Sequence, residues 1–154
     1  MRLAEESRAR LERFFRCYER DEGVRLPAVF VHTGFWCDGL TRMLSAAAFT
    51  VGRHVFVSRK VLARNARGQL TMPGWLLAHE AAHVRQFQRA GFLKFAFDYT
   101  REYLTLLVRS GKLDAGARME AYERIAPERE ARGVEAAYLE WSAGVPLSLI
   151  KSDC

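Results

Sequence analysis

The run Trp75-Leu-Leu-Ala-His-Glu-Ala-Ala-His-Val-Arg-Gln-Phe87 constrains the fold most, because it holds two of the four histidines of the chain. Residues four apart on an α-helix lie one turn above each other, so His79 and His83 can reach one metal ion. Glu80 projects about 100° around the helix from His79, which places its carboxylate beside such an ion. The pattern H-E-x-x-H therefore predicts a helix that holds one zinc ion, with Glu80 as the base for a bound water.

The alternative interpretation is a surface helix that carries an accidental histidine pair. Leu77, Ala81 and Val84 form an apolar stripe at helical spacing, which would seat the helix in a core. We therefore favour the metal site over the accidental pair.

Length and cysteine usage indicate an ordinary globular protein. The 154 residues suit one domain with one core, and we expect residues 1–154 to form it. Cys17, Cys37 and Cys154 are few, odd in number and without C-x-x-C spacing, so neither a disulfide framework nor a cysteine zinc site is indicated. We assign the cysteines no role and assume a reducing compartment.

The N-terminal ten residues are charged throughout and lack the apolar stretch of a signal peptide. We expect a cytoplasmic protein, and export by a non-classical route stays open. The most apolar helix candidate, Phe92–Val108, contains four charged residues that would be costly in lipid. No membrane span is expected, and the oligomeric state stays open.

The net charge of +6 permits attraction to nucleic acid but does not establish it. The arginines are scattered among glutamates, as on solvated helix faces with ion pairs one turn apart. We do not expect nucleic acid as a partner.

Hydrophobic periodicity and breaker residues predict a mostly helical α+β domain with a small antiparallel sheet or hairpin ahead of the motif helix. The predicted N-terminal elements are a helix over Leu3–Glu19, a strand over Ala28–His32, a helix over Gly39–Ala48, and two β-rich runs over Phe49–Val51 and His54–Val57. Thr71 is the predicted N-cap of the motif helix, with Pro73 in its first turn. The predicted later elements are a polar loop over Asn65–Gln69, helices over Pro73–Ala90, Phe92–Arg109, Asp114–Ile125 and Glu128–Trp141, and an irregular tail from Gly144 to Cys154.

Three stretches in order carry a narrower resemblance: Val29-Phe-Val-His-Thr-Gly34, Ala48-Phe-Thr-Val-Gly-Arg-His-Val-Phe-Val57 and Leu76-Leu-Ala-His-Glu-Ala-Ala-His-Val-Arg-Gln86. They resemble the successive signatures of the extracellular contractile injection system core-domain family, whose members are small bacterial proteins of the zincin type. The resemblance covers about residues 27 to 88.

The resemblance implies a zincin-like, minimal gluzincin fold and a zinc-dependent peptidase acting on a peptide or protein substrate. In such a fold the strand before the motif helix borders the substrate cleft. By that analogy His54–Val57 would pair with an extended peptide, while the alternative is an ordinary edge strand capped by a loop. His54 and His32 are not expected to be metal ligands.

A catalytic zinc ion usually takes three protein ligands, and no histidine follows His83. A carboxylate is therefore expected, and Ala126-Pro-Glu-Arg-Glu-Ala131 resembles the E-x-x-A segment from which glutamate zincins draw it. Glu128 is the expected third ligand, with Glu130 as its rival and with Glu120 and Glu123 as weaker candidates. Alternatively, Glu128 only complements the N-terminal dipole of its helix.

Many relatives carry Asp or Asn four residues after this glutamate to orient a histidine, whereas this chain has Arg132. That departure and the small size motivate the alternative to a peptidase, which is a catalytically inactive zincin-fold binding or structural module, with or without metal. Tyr99, Tyr103 and Tyr122 are candidates for stabilising an oxyanion, and the alternative for each is a half-buried core aromatic.

Overall fold

The fold was analysed in a computed structural model, which describes residues 2–43, 46–64 and 70–144. Within these ranges it is mostly helical with a small three-stranded sheet, so the α+β prediction is confirmed. The helices are α1 (Glu5–Glu19), α2 (Phe35–Met43), α3 (Gly74–Ala90), α4 (Phe92–Ser110), α5 (Ala115–Arg124) and α6 (Ala126–Ser142). The strands are β1 (Phe30–His32), β2 (Ala48–Val51), β3 (His54–Val57), β4 (Ala63–Arg64) and β5 (Leu70–Thr71), with a 3₁₀ turn at Arg59–Val61.

The motif helix α3 lies where the sequence predicts it, but its N-terminus is built differently. Thr71 is not the N-cap, because it pairs in β5 and its hydroxyl donates to the carbonyl of Ala63 at 3.3 Å. Pro73 occupies the cap position, and the Pro73 carbonyl accepts the Leu77 N–H at 3.0 Å. At the other end, Gly91 adopts a φ of +78°, which ends α3 and lets α4 start at once in a new direction.

The helix predicted over Gly39–Ala48 is displaced toward the N-terminus. It begins at Phe35, directly after Gly34, and Ala48 instead opens β2 by pairing with Val57. A pair of hydrogen bonds that the sequence did not predict positions α2. The Asp38 carboxylate accepts the Arg59 backbone N–H at 2.8 Å and the Arg59 Nε–H at 2.7 Å, and we call this contact the Asp38–Arg59 tether. The helix position is thus set by a contact between segments distant in sequence.

The sheet has the strand order β1-β3-β2 and is mixed. β2 and β3 form the predicted antiparallel hairpin, with Gly52 at φ +61° in the turn. The expectation of a purely antiparallel sheet is wrong, because α2 carries the chain from β1 to β2 and β1 pairs with β3 in parallel. Since β3 has a partner on each side, it offers no free edge to a peptide. The edge strands of this sheet are β1 and β2.

The two faces of β3 have different surroundings. Val55 and Val57 are fully buried against the helices, whereas His54 is exposed. On the outer face, His32 Nε2 lies 2.9 Å from His54 Nδ1, and the two rings are 5.1 Å apart. His32 and His54 thus share the face of the sheet opposite to Val55 and Val57.

The main core lies among α1, α3 and α6. Phe14 and Phe15 of α1 are essentially inaccessible to solvent, and they cover the contact between α3 and α6. That contact is lined by small residues, which let the two helix backbones approach closely. They are Ala78, Ala81 and Ala82 on α3, and Ala131, Val134 and Ala137 on α6.

The remaining sequence predictions fall in or beside the described ranges. α4, α5 and α6 match their predicted spans to within two residues at each end, and Asp114 caps α5 by accepting the Ala117 N–H at 2.8 Å.

Among the described helices, none combines the length and apolar character that a membrane crossing needs. Asn65–Gln69 and residues 145–154 lie outside the described residues. Cys17 is exposed and Cys37 buried, and both are free thiols.

Gly74 is the position where the α3–α6 contact leaves no room for a side chain. A Cβ there would lie 2.9 Å from the ring of Tyr138, itself buried among the core aromatics. We expect Gly74→Ala to lower the free energy of unfolding by about 1–3 kcal/mol, which exceeds the gain in helix propensity. Denaturant unfolding measures this change.

Gly133→Ala on α6 is the matched control. A Cβ at Gly133 meets nothing closer than 3.9 Å, so alanine should raise the free energy of unfolding by up to about 1 kcal/mol through helix propensity. If both variants shifted stability in the same direction, the steric account of Gly74 would be wrong.

Candidate metal centre

Three side chains from two helices converge at one point of the α3–α6 contact. His79 and His83 lie one turn apart on α3, and Glu128 lies in the first turn of α6. One ligand atom from each lies within 4.8 Å of the other two. The separation of His79 Nε2 from Glu128 Oε2 is 3.5 Å, and that of His83 Nε2 from Glu128 Oε1 is 3.3 Å. The structure therefore brings together the three residues predicted as metal ligands.

His79 is oriented by a carboxylate on α6. Its Nδ1 lies 3.1 Å from Glu135 Oε2. Because a carboxylate only accepts hydrogen bonds, the proton sits on Nδ1 and the Nε2 lone pair faces Glu128. Glu135 lies seven residues after Glu128, two turns along the same helix face.

His83 is oriented by an amide whose own direction is fixed. Gln86 Nε2 donates to the Pro127 carbonyl at 3.0 Å and to Glu130 Oε2 at 2.9 Å, so Gln86 Oε1 is the atom facing the histidine. His83 Nδ1 donates to this oxygen at 2.8 Å. Its Nε2 lone pair is therefore also directed at Glu128.

The arrangement can hold a cation at its centre. The Nε2 atoms of the two imidazoles lie 3.3–3.5 Å from the two oxygens of one carboxylate, a repulsive contact unless a proton or a metal ion supplies positive charge. Ligands about 2.1 Å from a tetrahedral zinc ion lie roughly 3.4 Å apart, so the donor spacing matches such an ion. Glu128 Oε2 is also buried without a hydrogen-bond partner. The donor set fits a metal ion, although it does not identify which one.

The pKa values of Glu128 and His83 are both shifted in the direction that favours the charged form of each residue. Burial alone would raise the pKa of Glu128, but the adjacent His79 and His83 lower it far below its usual range. Burial alone would lower the pKa of His83, but Glu128, Glu80 and Gln86 raise it overall. Glu128 thus stays ionised although it is almost fully buried.

Glu80 lies beside the centre without joining it. Its side chain is 2% exposed, and Thr50 on β2 donates its hydroxyl to Glu80 Oε2 at 2.7 Å. Burial raises the pKa of Glu80, against the opposing effects of His83 and of the Thr50 hydrogen bond. A single contact between the sheet and α3 therefore fixes the carboxylate that the sequence predicts as a base.

The other carboxylates considered as ligands have different partners. Glu130 binds Gln86 and Arg89, Glu120 pairs with Arg124, and Glu123 pairs with Arg132. The structure thus places Glu128, rather than Glu130, at the histidines.

The centre opens into a cavity of about 680 Å³ between β2 on one side and α4 and α5 on the other. Glu80, His83 and Glu128 contribute to its lining, and most of its other walls are apolar or aromatic. Tyr99 on α4 donates to Glu128 Oε1 at 3.2 Å, and Tyr122 on α5 also hydrogen-bonds Glu128. Burial, and next the charge of Glu128, raise the pKa of both phenols, so they stay protonated.

A family model described as the eCIS core domain matches residues 2–91, more than half of the chain. The chain belongs to the eCIS core domain family. Comparisons with curated proteins and with solved structures gave no match. The matched part of this eCIS core protein ends at the C-terminus of α3, so it includes both histidines and Glu80 but not Glu128.

The sequence did not predict three residues that support this site: Thr50, Gln86 and Glu135. Helical spacing could have revealed two of them, because Gln86 is three residues after His83 and Glu135 seven after Glu128. Thr50 carries no such signal, since its contact depends on how β2 packs against α3. The resemblance led us to expect a residue at position 132 that orients a histidine. Glu135 has this role instead, because it contacts His79, while Arg132 is exposed.

We expect Glu135→Ala to weaken Zn²⁺ affinity by about 10–100-fold, because His79 then loses the acceptor that fixes its Nδ1 proton. Competition with a chromophoric zinc chelator measures the affinity. Arg132→Ala, on the same helix, is the control and should leave it unchanged. Equal affinity in the two variants would contradict the orienting role of Glu135.

Proposed function

We propose that this protein is a zinc-dependent peptidase of the zincin type, in which Glu80 is the general base. The observation that carries the proposal is the convergence of His79, His83 and Glu128 beside a buried carboxylate at the floor of an open cavity. A purely structural metal site would need neither the cavity nor the adjacent Glu80. The zincin-like, gluzincin character of the fold is part of the proposal.

Zinc is the proposed ion because two imidazole nitrogens and one carboxylate oxygen are a common catalytic zinc set that leaves one position open. When bound, such an ion acts as a Lewis acid and acidifies water. His79 and His83 would hold it through Nε2, and Glu128 through its carboxylate. The Glu135 and Gln86 hydrogen bonds orient both rings so that Nε2 is directed at Glu128 for this purpose.

Glu80 would move the proton. Thr50 binds Oε2, so we assign Oε1 as the atom that takes a proton from the attacking water and passes it to the leaving amine. The burial that raises the pKa of Glu80 also favours its holding a proton between these two transfers. Thr50 is a positioning residue, because it prevents the carboxylate from rotating away.

Tyr99 and Tyr122 would donate hydrogen bonds to the negative charge that develops on the peptide oxygen. Both phenols border the cavity beside Glu128 and keep their protons because their pKa values are raised. Tyr103 also lines the cavity and gives a matched comparison, since its hydroxyl has no described contact with Glu128.

The substrate would be an extended peptide along β2. Among the described strands, β2 pairs only with β3, so its other edge has backbone groups available for hydrogen bonds. Residues 48–51 line the cavity, and Thr50 ties the strand to Glu80. A peptide pairing there would pass across the floor of the cavity.

We expect Glu80→Gln to reduce hydrolysis of an unstructured protein such as casein by about 10²–10⁴-fold, because the amide cannot take a proton. Zinc content should stay at one ion per chain. Turnover by the purified protein and by the variant, measured beside metal content, tests the base. Equal turnover in the two would remove Glu80 from the mechanism, and zinc binding without turnover in either would favour the inactive binding module.

The phenols have their own test. At least one of Tyr99→Phe and Tyr122→Phe should lower kcat by about 10²–10³-fold, because a donor to the developing charge is lost. Tyr103→Phe should leave kcat within a factor of about two. If all three variants matched the parent protein, neither phenol would stabilise the transition state.

A further inference from the structure

Most walls of the cavity beside the candidate metal centre are apolar, and hydrolysis of a peptide bond does not by itself require apolar walls. Phe87 of α3, Phe92 and Phe95 of α4, Met119 of α5 and Phe49 of β2 all contribute to them. A volume of about 680 Å³ exceeds what a single side chain fills, so the cavity can admit a large apolar group together with adjoining backbone.

One cation is found among the described residues of this apolar lining. Arg118 is exposed on α5, and it forms no ion pair with any residue of the described ranges. Most other arginines on the neighbouring helices are paired: Arg89 with Glu130, Arg101 with Asp98, Arg124 with Glu120 and Arg132 with Glu123. Arg118 is therefore available to an anionic group of a ligand.

Arg118 lies on the same helix as Tyr122, which contacts Glu128, and this sets its distance from the candidate metal centre. It lies four residues before Tyr122, one turn along α5, and Tyr122 hydrogen-bonds Glu128. One turn is about 6 Å, and an extended peptide advances about 3.3–3.6 Å per residue. A carboxylate on Arg118 would thus lie within a few residues of a peptide bond held at the centre.

From these observations we infer that the cavity selects a peptide segment in which a bulky apolar side chain lies next to a carboxylate, with Arg118 binding the carboxylate. The carboxylate can be the free C-terminus of the peptide or an acidic side chain. This inference rests on the proposed function for its substrate, but binding to the cavity does not require turnover.

The test is calorimetric binding to the zinc-loaded Glu80→Gln variant of the full chain, which separates binding from hydrolysis. The probes are acetyl-Gly-Ala-Gly-X peptides in which X is phenylalanine or alanine. Each is made with a free C-terminal carboxylate, as the C-terminal amide, and extended by an aspartate amide. The first and third forms distinguish the two sources of the carboxylate, and the amide, which has neither, is the reference.

Phenylalanine should bind about 10–100-fold more tightly than alanine, as expected for burial of an aromatic side chain. Ala96 lines the cavity, so Ala96→Trp should fill it and remove this preference. Phe97→Trp is the matched control, because Phe97 lies on the outer face of α4 and is 67% exposed. Equal binding of phenylalanine and alanine peptides would overturn the apolar part of the proposal.

A carboxylate in either position should bind about 3–10-fold more tightly than the amide at low salt, and less so as salt screens the pair. Arg118→Gln should remove this difference, while Arg109→Gln, which removes the same charge outside the cavity, should keep it. If the amide binds as tightly as both carboxylate forms, Arg118 has no such role. Selective binding without hydrolysis in the parent protein would instead refute only the proposed catalysis.

Discussion

The contact of Glu128 with His79 and His83 across the α3–α6 interface is the interaction on which the site depends. It forms where the two helices pack against each other, and mostly small residues on both sides allow their backbones to approach. Phe14 and Phe15 cover the contact and keep water from part of it. The packing of three helices therefore determines where the three donor atoms meet.

Charge is distributed unevenly in this molecule. The chain as a whole carries +6, yet Glu80, Glu128 and Glu135 cluster at two imidazoles in a largely buried region. Such a cluster is costly to bury unless a cation compensates it. These carboxylates lie where the fold also supplies two nitrogen donors directed at Glu128. That coincidence is the physical reason to regard the centre as a metal site.

The sequence predicted the parts of the site that depend on local spacing. Helical periodicity placed both histidines and Glu80 on α3. The lack of a later histidine predicted a carboxylate as the third ligand, and the resemblance of Ala126–Ala131 to the E-x-x-A segment of glutamate zincins pointed to Glu128 on α6. Contacts between segments distant in sequence could not be predicted from local spacing. The position of α2 follows from the Asp38–Arg59 tether, and the support of Glu80 follows from the docking of β2 on α3. The central position of β3 depends equally on pairing with a strand more than twenty residues earlier.

The long separation between the two parts of the centre has a consequence for the unfolded chain. Glu128 lies 45 residues beyond His83, and α4 and α5 occupy the intervening segment. An ion bound to both would act as a removable cross-link. By the chain-entropy relation used for disulfides, closing a loop of this size is worth about 4 kcal/mol. The ion at the floor of the cavity would thus hold in place the helices that form its far wall. The stability of that wall would then depend on the supply of metal, although no residue of the wall itself has to bind the ion.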